Sequence, residues 1–411
     1  MTMKFMHVAD LHLDQSFEGL GKIPYSLATN LLKQNQQTMV KLVDEAIRHD
    51  IDFLLMVGDT FHQPRITIQT QNFFIQQLKR LEQQQIKVIL SFGNHDYYQA
   101  HRYWFDFPKN VYLFDSEEIQ TVTLETQAGE TVAITGFSYE HRWLTESMTL
   151  KYPQRESTVD YHIGFFHGQV GENQYASFSP MTAAQKGYDY WALGHIHQPQ
   201  IVQEQPPIIY AGSLIPHTQK EKDSGAYVLV TSDGNQLLYE WHHVANVAWL
   251  QEQLDVKQVD NMQSLINHSR QLFKREGGDY QLVKVKLENM SEKFASLLED
   301  TTQKKELLYL LQNEIFEASN QKTWLYALET QPDFEFERFA LPITQTKAAN
   351  LLAAYQESER FQELMGDLYK NATSAQLVAI DDVKQAELIA HANSVFNESF
   401  AFRDEVTRHE N

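Results

Sequence analysis

Five short apolar runs in this chain stop on polar residues of the same few kinds. "KFMHVA" (4–9) runs into Asp10-Leu11-His12, and "IDFLLMV" (51–57) into Gly58-Asp59. "KVILSF" (87–92) runs into Gly93-Asn94-His95-Asp96, and "YHIGFF" (161–166) into His167-Gly168. "YDYWAL" (188–193) runs into Gly194-His195-Ile196-His197. Apolar runs of this length, bounded by turn residues, read as buried strands. In an α/β sheet the loops beyond the carboxyl ends of the strands converge on one crevice. The pattern therefore directs Asp, Asn and His side chains from five distant places toward one site.

Helical spacing fills the gaps between the early strands. Leu27, Leu31, Met39, Leu42, Val43 and Ile47 predict a helix over about 26–49, and another is expected near 67–84. Strands alternating with helices imply an α/β core with parallel segments. From about 111 to 244 the chain is strand-rich, with "ETVAITGF", "PIIYAGS", "AYVLVTSDG" and "QLLYEWHHV" between Gly, Pro and polar turns. After about 250 the texture changes. "YQLVKVKLE" (280–288) alternates, "KKELLYLLQNEIFEA" (304–318) has helical spacing, and "WLYALE" (324–329) reads as a strand. Residues 345–370 and 374–400 read as amphipathic helices, on Phe361, Leu364 and Leu368 and then Leu377, Ile380 and Leu388. The expected domains are 1–250, a small α+β module over 251–340, and a helical C-terminal region over 341–411 suited to docking a partner.

With 411 residues and no cysteine, the chain cannot use disulfides, thiolate metal sites or a cysteine nucleophile. Any metal must be held by His, Asp, Glu or Asn. Net charge is −20: residues 1–250 carry 17 basic and 27 acidic side chains, and residues 251–411 the same numbers over a shorter length. Neither part is a basic nucleic-acid platform, so a nucleic acid must be gripped by a local patch, by bound metal or by a partner. No apolar stretch reaches the length of a membrane span and the N-terminus has no leader pattern, so a cytoplasmic protein is expected.

Carboxylate, imidazole and amide oxygen together suit divalent ions. They favour Mn²⁺, with Mg²⁺, Fe or Zn²⁺ as alternatives. Residues two apart in an extended segment point the same way, so Asp10 and His12 are expected to grip one ion. His195 and His197, at a turn, are expected to reach two neighbouring ions, and Asp59 can bridge a pair of them.

The ordered series D-x-H, G-D, G-N-H-D, isolated His-Gly and G-H-x-H resembles the calcineurin-like metallophosphoesterases. With the opening "HVADLHLDQSF", it resembles within them the bacterial SbcD/YhaO-type DNA repair exonuclease family. The motifs cover about residues 4–215. The resemblance implies a four-layer α-β-β-α metallophosphoesterase sandwich with a capping-like second module. It implies one metal on Asp10, His12, Asp59 and His197, and a second on Asp59, Asn94, His167 and His195. It places His95 beside the scissile phosphate as proton donor, with Asp96 orienting its ring. The sequence departs from many bacterial members after G-D-x-F, where His62 stands in place of Asp. Partners implied are DNA, an SbcC-like coiled-coil ATPase and a second copy of the chain.

Of the other histidines, His7, His49, His141, His162, His217, His242 and His243 have no supporting neighbours and are read as structural or surface residues. In "YYQAHRYWFDFPK" (97–109), Trp104 and Phe105 are read as core packing rather than a base-stacking surface. Arg65, Arg102 and Arg142 are candidate phosphate contacts. The expected function is a two-metal phosphodiesterase, a DNA nuclease in repair or end processing. A small-molecule phosphodiesterase acting on cyclic nucleotides or dinucleotides, or an adaptor that keeps the fold, are the alternatives.

Overall fold

In the computed structural model, residues 2–332 are described apart from 64, 172–173, 258, 260, 275–277, 292–297 and 299–300, together with 339–341 and 400–402. Strands β1 (Lys4–Val8), β2 (Phe53–Val57), β3 (Lys87–Ser91) and β4 (Val111–Leu113) pair in parallel. Helices α1 (Tyr25–His49) and α2 (Ile68–Gln83) supply the crossovers. The middle strands are buried on both faces, which is why they read as unbroken apolar runs. Helix α1 stops at Asp50, which takes the left-handed conformation common beyond a helix C-terminus. Thr67 caps α2 by accepting from the Thr70 amide.

The second sheet holds β5 (Gln120–Glu125), β6 (Thr131–Gly136), β7 (Tyr161–His167), β8 (Tyr190–Gly194), β9 (Gln200–Glu204) and β10 (Pro207–Tyr210), in the order β5-β6-β7-β8-β10-β9. Its central pairs β6–β7, β7–β8 and β8–β10 are parallel. The chain then returns to the first sheet through β11 (Ala226–Asp233) and β12 (Gln236–His243). This completes the order β12-β11-β1-β2-β3-β4.

The two sheets stack face to face. Phe5, Phe53, Leu55, Val57, Val228 and Val230 meet Ile134, Ile163, Phe165, Tyr190, Ala192 and Ile209 in one buried cluster. The outer face of the first sheet carries α1 and α2, through Met39, Leu42, Val43, Phe74 and Leu78. The outer face of the second is covered differently. Its aromatic layer, with Tyr139, Tyr152, Phe178, Tyr188 and Trp191, lies under loops and the one-turn helix α3 (Pro180–Ala184). The fold is thus mixed α/β with stacked sheets, and its fourth layer is mostly loop.

A third sheet, of β13 (Val247–Asp255), β14 (Tyr280–Met290) and β15 (Thr323–Pro332), carries α4 (Met262–Leu272) and α5 (Thr301–Ala318). Val247, Trp249, Tyr280 and Leu282 of this sheet pack with Leu27 and Leu31 of α1. Strand β13 begins at Val247 and runs through residue 250. By internal contacts the chain divides into Met1–Thr330 and Gln331–Asn411. In the second unit, β16 (Phe339–Leu341) and β17 (Phe400–Phe402) pair in parallel. The helices expected over 345–370 and 374–400 lie outside the described residues, except that residue 400 opens β17. Among the described residues no helix is long and apolar enough to cross a membrane.

Candidate metal centre

The carboxyl ends of β1, β2, β3, β7 and β8 lie along one edge of the stacked sheets, and their loops are laced together. The Asp10 amide donates to the Gly58 carbonyl at 3.2 Å and the His12 amide to that of Asp59 at 3.1 Å. Three glycines make the close approach possible. A Cβ on Gly58 would lie 2.6 Å from His167 Nδ1, one on Gly93 2.3 Å from Asp59 Oδ1, and one on Gly194 2.1 Å from the Val57 carbonyl oxygen. Each precedes a candidate ligand, so the recurrent Gly in G-D, G-N-H-D and G-H-x-H is a steric requirement.

The backbone at the site is strained. Asp10, His12, Asp59 and His195 have φ of 51°, 45°, 51° and 97°. Side-chain-bearing residues take such values seldom and at a cost of about 1–3 kcal/mol each. This corrects the reading of Asp10 and His12 as an extended pair. Their side chains converge because each residue turns through the left-handed region.

Around Asp10, the Asp10 Oδ1 atom lies 4.0 Å from His12 Nε2 and 3.7 Å from His197 Nε2, and those two nitrogens are 3.2 Å apart. His197 Nδ1 donates to Glu221 Oε1 at 3.1 Å, so in the neutral ring that would bind a metal its Nε2 turns a lone pair on Asp10. Asp10 Oδ1 is buried without a hydrogen-bond partner. Around Asp59, His167 Nδ1 donates to the Val57 carbonyl at 3.1 Å. In the neutral ring that would bind a metal, its Nε2 then presents a lone pair to Asp59 Oδ2 at 3.4 Å and Asn94 Oδ1 at 3.0 Å. His195 Nδ1 lies 3.1 Å from the same Asn94 oxygen. Asp59 Oδ2 is also 3.9 Å from His12 Nε2, so one oxygen faces a histidine of each group.

Buried lone pairs aimed at one another are stable only around a cation. Asp10, His12 and His197, and again Asp10, Asp59 and His167, each bring ligand atoms within 4.8 Å of one another. The donor set therefore fits divalent ions. With protons as the only cations, the same crowding shows in the titration of the groups. Burial opposes charge on His167, yet Asp59 and Asp10 hold its pKa up at about 9. Burial raises Asp10 to about 6 against the pull of His167 and His197. Burial also opposes ionisation of Asp59, but His167, His12 and His95 hold it well below the usual carboxylate range.

His95 sits beside this cluster, its amide donating to Asp59 Oδ1 at 3.0 Å and its ring 5.2 Å from that of His12. The expectation that Asp96 orients the His95 ring is corrected. Both Asp96 oxygens are taken by backbone amides of Asp59, Thr60, Phe61 and Gly93, at 2.8–3.3 Å. Asp96 thereby clamps two ligand loops together. Burial and the Asp59 charge push its pKa up to about 7 despite those bonds. The His95 ring is held instead by His62: Nδ1 donates to the His62 carbonyl at 3.3 Å, and the two rings stack at 4.4 Å.

Other expectations fare unevenly. Trp104 is 69% exposed, so the core reading fails there, while Phe105 packs partly buried. Arg102 lies over the Tyr97 ring at 4.1 Å and Arg142 over Trp143 at 5.6 Å, and Arg65 is exposed. Among the described residues none of the three touches the cluster. Three residues near it are not read from the sequence as part of a site, His217 being read there as structural or surface. Glu221 grips His197; His217 is fully buried with its ring 6.4 Å from that of His12; and the Tyr175 ring lies 4.6 Å from that of His195. None follows an apolar run, so no local pattern marks them. Beside Gln198, a cleft of about 390 Å³ is lined by Lys220, Lys222, Gln251 and Tyr326.

Comparison with known proteins agrees with this geometry. The sequence profile of the family described as Calcineurin-like phosphoesterase matches residues 3–199. The chain is 31% identical over 278 residues to "Uncharacterized metallophosphoesterase YhaO" of Bacillus subtilis (strain 168), covering 66% of this chain and 68% of that protein. It is 22% identical to "DNA double-strand break repair protein Mre11" of Methanopyrus kandleri, over 61% of this chain and 58% of that one. It is 26% identical to the protein of the same name from Methanocaldococcus jannaschii, over 57% of this chain and 64% of that one. The match thus spans less than two thirds of each archaeal relative. From the relative in Bacillus subtilis and the ligand geometry together, the chain belongs to the calcineurin-like phosphoesterases, hydrolases of phosphoester bonds that use divalent metal ions.

Proposed function

We propose that this chain is a two-metal phosphodiesterase that cleaves DNA, with Mn²⁺ as its preferred ion and an SbcC-like coiled-coil ATPase as its partner. The observation that carries the reading is the pair of converging lone-pair clusters that meet at Asp10 and Asp59. Asp10, His12, Asp59 and His197 would hold one ion; Asp59, Asn94, His167 and His195 the other. Such a pair neutralises phosphate charge and lowers the pKa of water. Mixed oxygen and imidazole donors suit Mn²⁺. DNA as substrate draws support from the two archaeal relatives named for double-strand break repair, and from Lys220 and Lys222 in the cleft beside Gln198, in a chain of net charge −20.

The residues divide the work. Asp96 and the three glycines fix the ligand loops. His95 Nδ1 donates a hydrogen bond to the His62 carbonyl, which keeps that proton on Nδ1; Nε2 would take up a proton from water and, in the doubly protonated ring, give it to the leaving oxygen as the phosphorus–oxygen bond breaks. The test is a metal panel with DNA and a chromogenic phosphodiester, run beside Asp59→Asn. Mn²⁺-dependent DNA cleavage that Asp59→Asn abolishes is the expected outcome. Turnover of the small diester or of cyclic dinucleotides with DNA left intact would assign a small-molecule phosphodiesterase. Co-purification of the chain with an SbcC-like coiled-coil ATPase tests the partner.

A further inference from the structure

The loop over 212–224 contains no residue of the five strand-tip motifs, yet it reaches the metal centre through one side chain. Glu221 is 6% exposed and its carboxylate is saturated with donors. Oε1 accepts from His197 Nδ1 at 3.1 Å and Thr218 Oγ1 at 3.1 Å. Oε2 accepts from the His217 amide at 3.0 Å and Ser213 Oγ at 3.1 Å. The same loop takes hold of the His197 backbone: its carbonyl accepts from the Ser213 amide at 2.9 Å and from Ser224 Oγ. His197 stands 31% exposed at its side chain, against 0% for His12 and 1% for His167. It follows a turn and not a strand, so sheet packing does not fix its ring.

We propose that Glu221 is a positioning residue for His197, holding the proton on Nδ1 so that Nε2 alone faces Asp10 and His12. This rests on the two-metal reading of the site and adds a carboxylate–histidine–metal relay to it. The physical case is geometric. A carboxylate can only accept, so the nitrogen facing it must carry hydrogen, and in the neutral ring that ligates a metal the opposite nitrogen is left with its lone pair. A buried carboxylate as acceptor also makes the imidazole a stronger donor toward the ion.

The test measures Mn²⁺ binding to the full chain by titration, with electron paramagnetic resonance reporting free ion, so no turnover is needed. For Glu221→Gln, which removes the charge and keeps the size, we expect one of the two dissociation constants to rise about 10–100-fold and the other to stay within about twofold. The double variant Ser213→Ala/Thr218→Val removes loop-side bonds and keeps the His197 contact, and it is expected to bind both ions as the wild type does. If Glu221→Gln binds both ions normally, or if the double variant loses the ion equally, the relay is overturned. If Glu221→Gln does not fold, the ¹⁵N resonances of His197 in Zn²⁺-loaded wild type decide. A protonated Nδ1 supports the relay, and a protonated Nε2 overturns it. Failure of the wild type itself to bind a second ion overturns the two-metal reading separately.

Discussion

At the scale of single residues, the site is a set of left-handed backbone turns made tolerable by glycines. Gly93 shows how narrow the tolerance is. A methyl group there would press on Asp59 Oδ1 at 2.3 Å and His167 Nε2 at 2.8 Å, and neither can retreat because each is buried. Gly93→Ala is therefore expected to lower Mn²⁺ affinity at least 10-fold and to destabilise the chain by about 1–3 kcal/mol, as overpacking does. Calorimetric titration and denaturant unfolding measure the two effects, and a Gly93→Ala chain with normal affinity would contradict the steric account. His95 is different, because it touches the cluster without belonging to either ligand group. His95→Gln is expected to bind metal normally and to lose about 10²–10⁴ in kcat. An equal loss of metal affinity would make His95 a ligand instead of a proton donor.

At the scale of elements, strand β1 carries a load unrelated to metal. His7 is fully buried between the sheets, its ring meeting Tyr190 Oη at 3.1 Å and the Leu193 carbonyl at 3.2 Å. Burial lowers its pKa to about 3, with the Leu193 carbonyl opposing. An unfolded His7 titrates near 6.5, so between those values the unfolded chain binds one more proton than the folded one. Stability thus falls as the pH drops through that window, by up to about 1.4 kcal/mol per unit. His7→Gln is expected to show a shallower loss in denaturant melts between pH 6.5 and 4 than the wild type; parallel pH profiles would contradict this. What the sequence disclosed follows the same logic of elements. Strands β1, β2, β3, β7 and β8 were legible because parallel burial leaves unbroken apolar runs, and each run points at its polar tip. Strand β13 and helix α4 escaped notice because their apolar residues are sparse and interrupted by Gln, Glu and Ser. Glu221, His217 and Tyr175 were illegible as site residues because only tertiary contact brings their loops to the ligands.

At the scale of the whole molecule, residues 1–330 join three sheets around the site's flanking loops. Two tryptophans fasten the third sheet: Trp249 Nε1 donates to the Pro216 carbonyl at 2.8 Å and Trp324 Nε1 to that of Leu20 at 3.1 Å. Both acceptors lie in loops that also flank metal-site residues, His217 and Glu221 in one case and His12 in the other. Trp249→Ala is expected to cost about 3–5 kcal/mol, as loss of a buried aromatic does, and proteolysis near residue 216 should become faster. Unchanged unfolding would mean that the third sheet is only loosely attached. The central claim, however, is the gathering of seven ligands from five strand tips around two cations. Anomalous diffraction from crystals of the Mn²⁺-loaded chain tests it most directly. Two peaks are expected, sharing Asp59 and divided between His12 with His197 and Asn94 with His167 and His195. A single peak, or none among these side chains, would contradict the account.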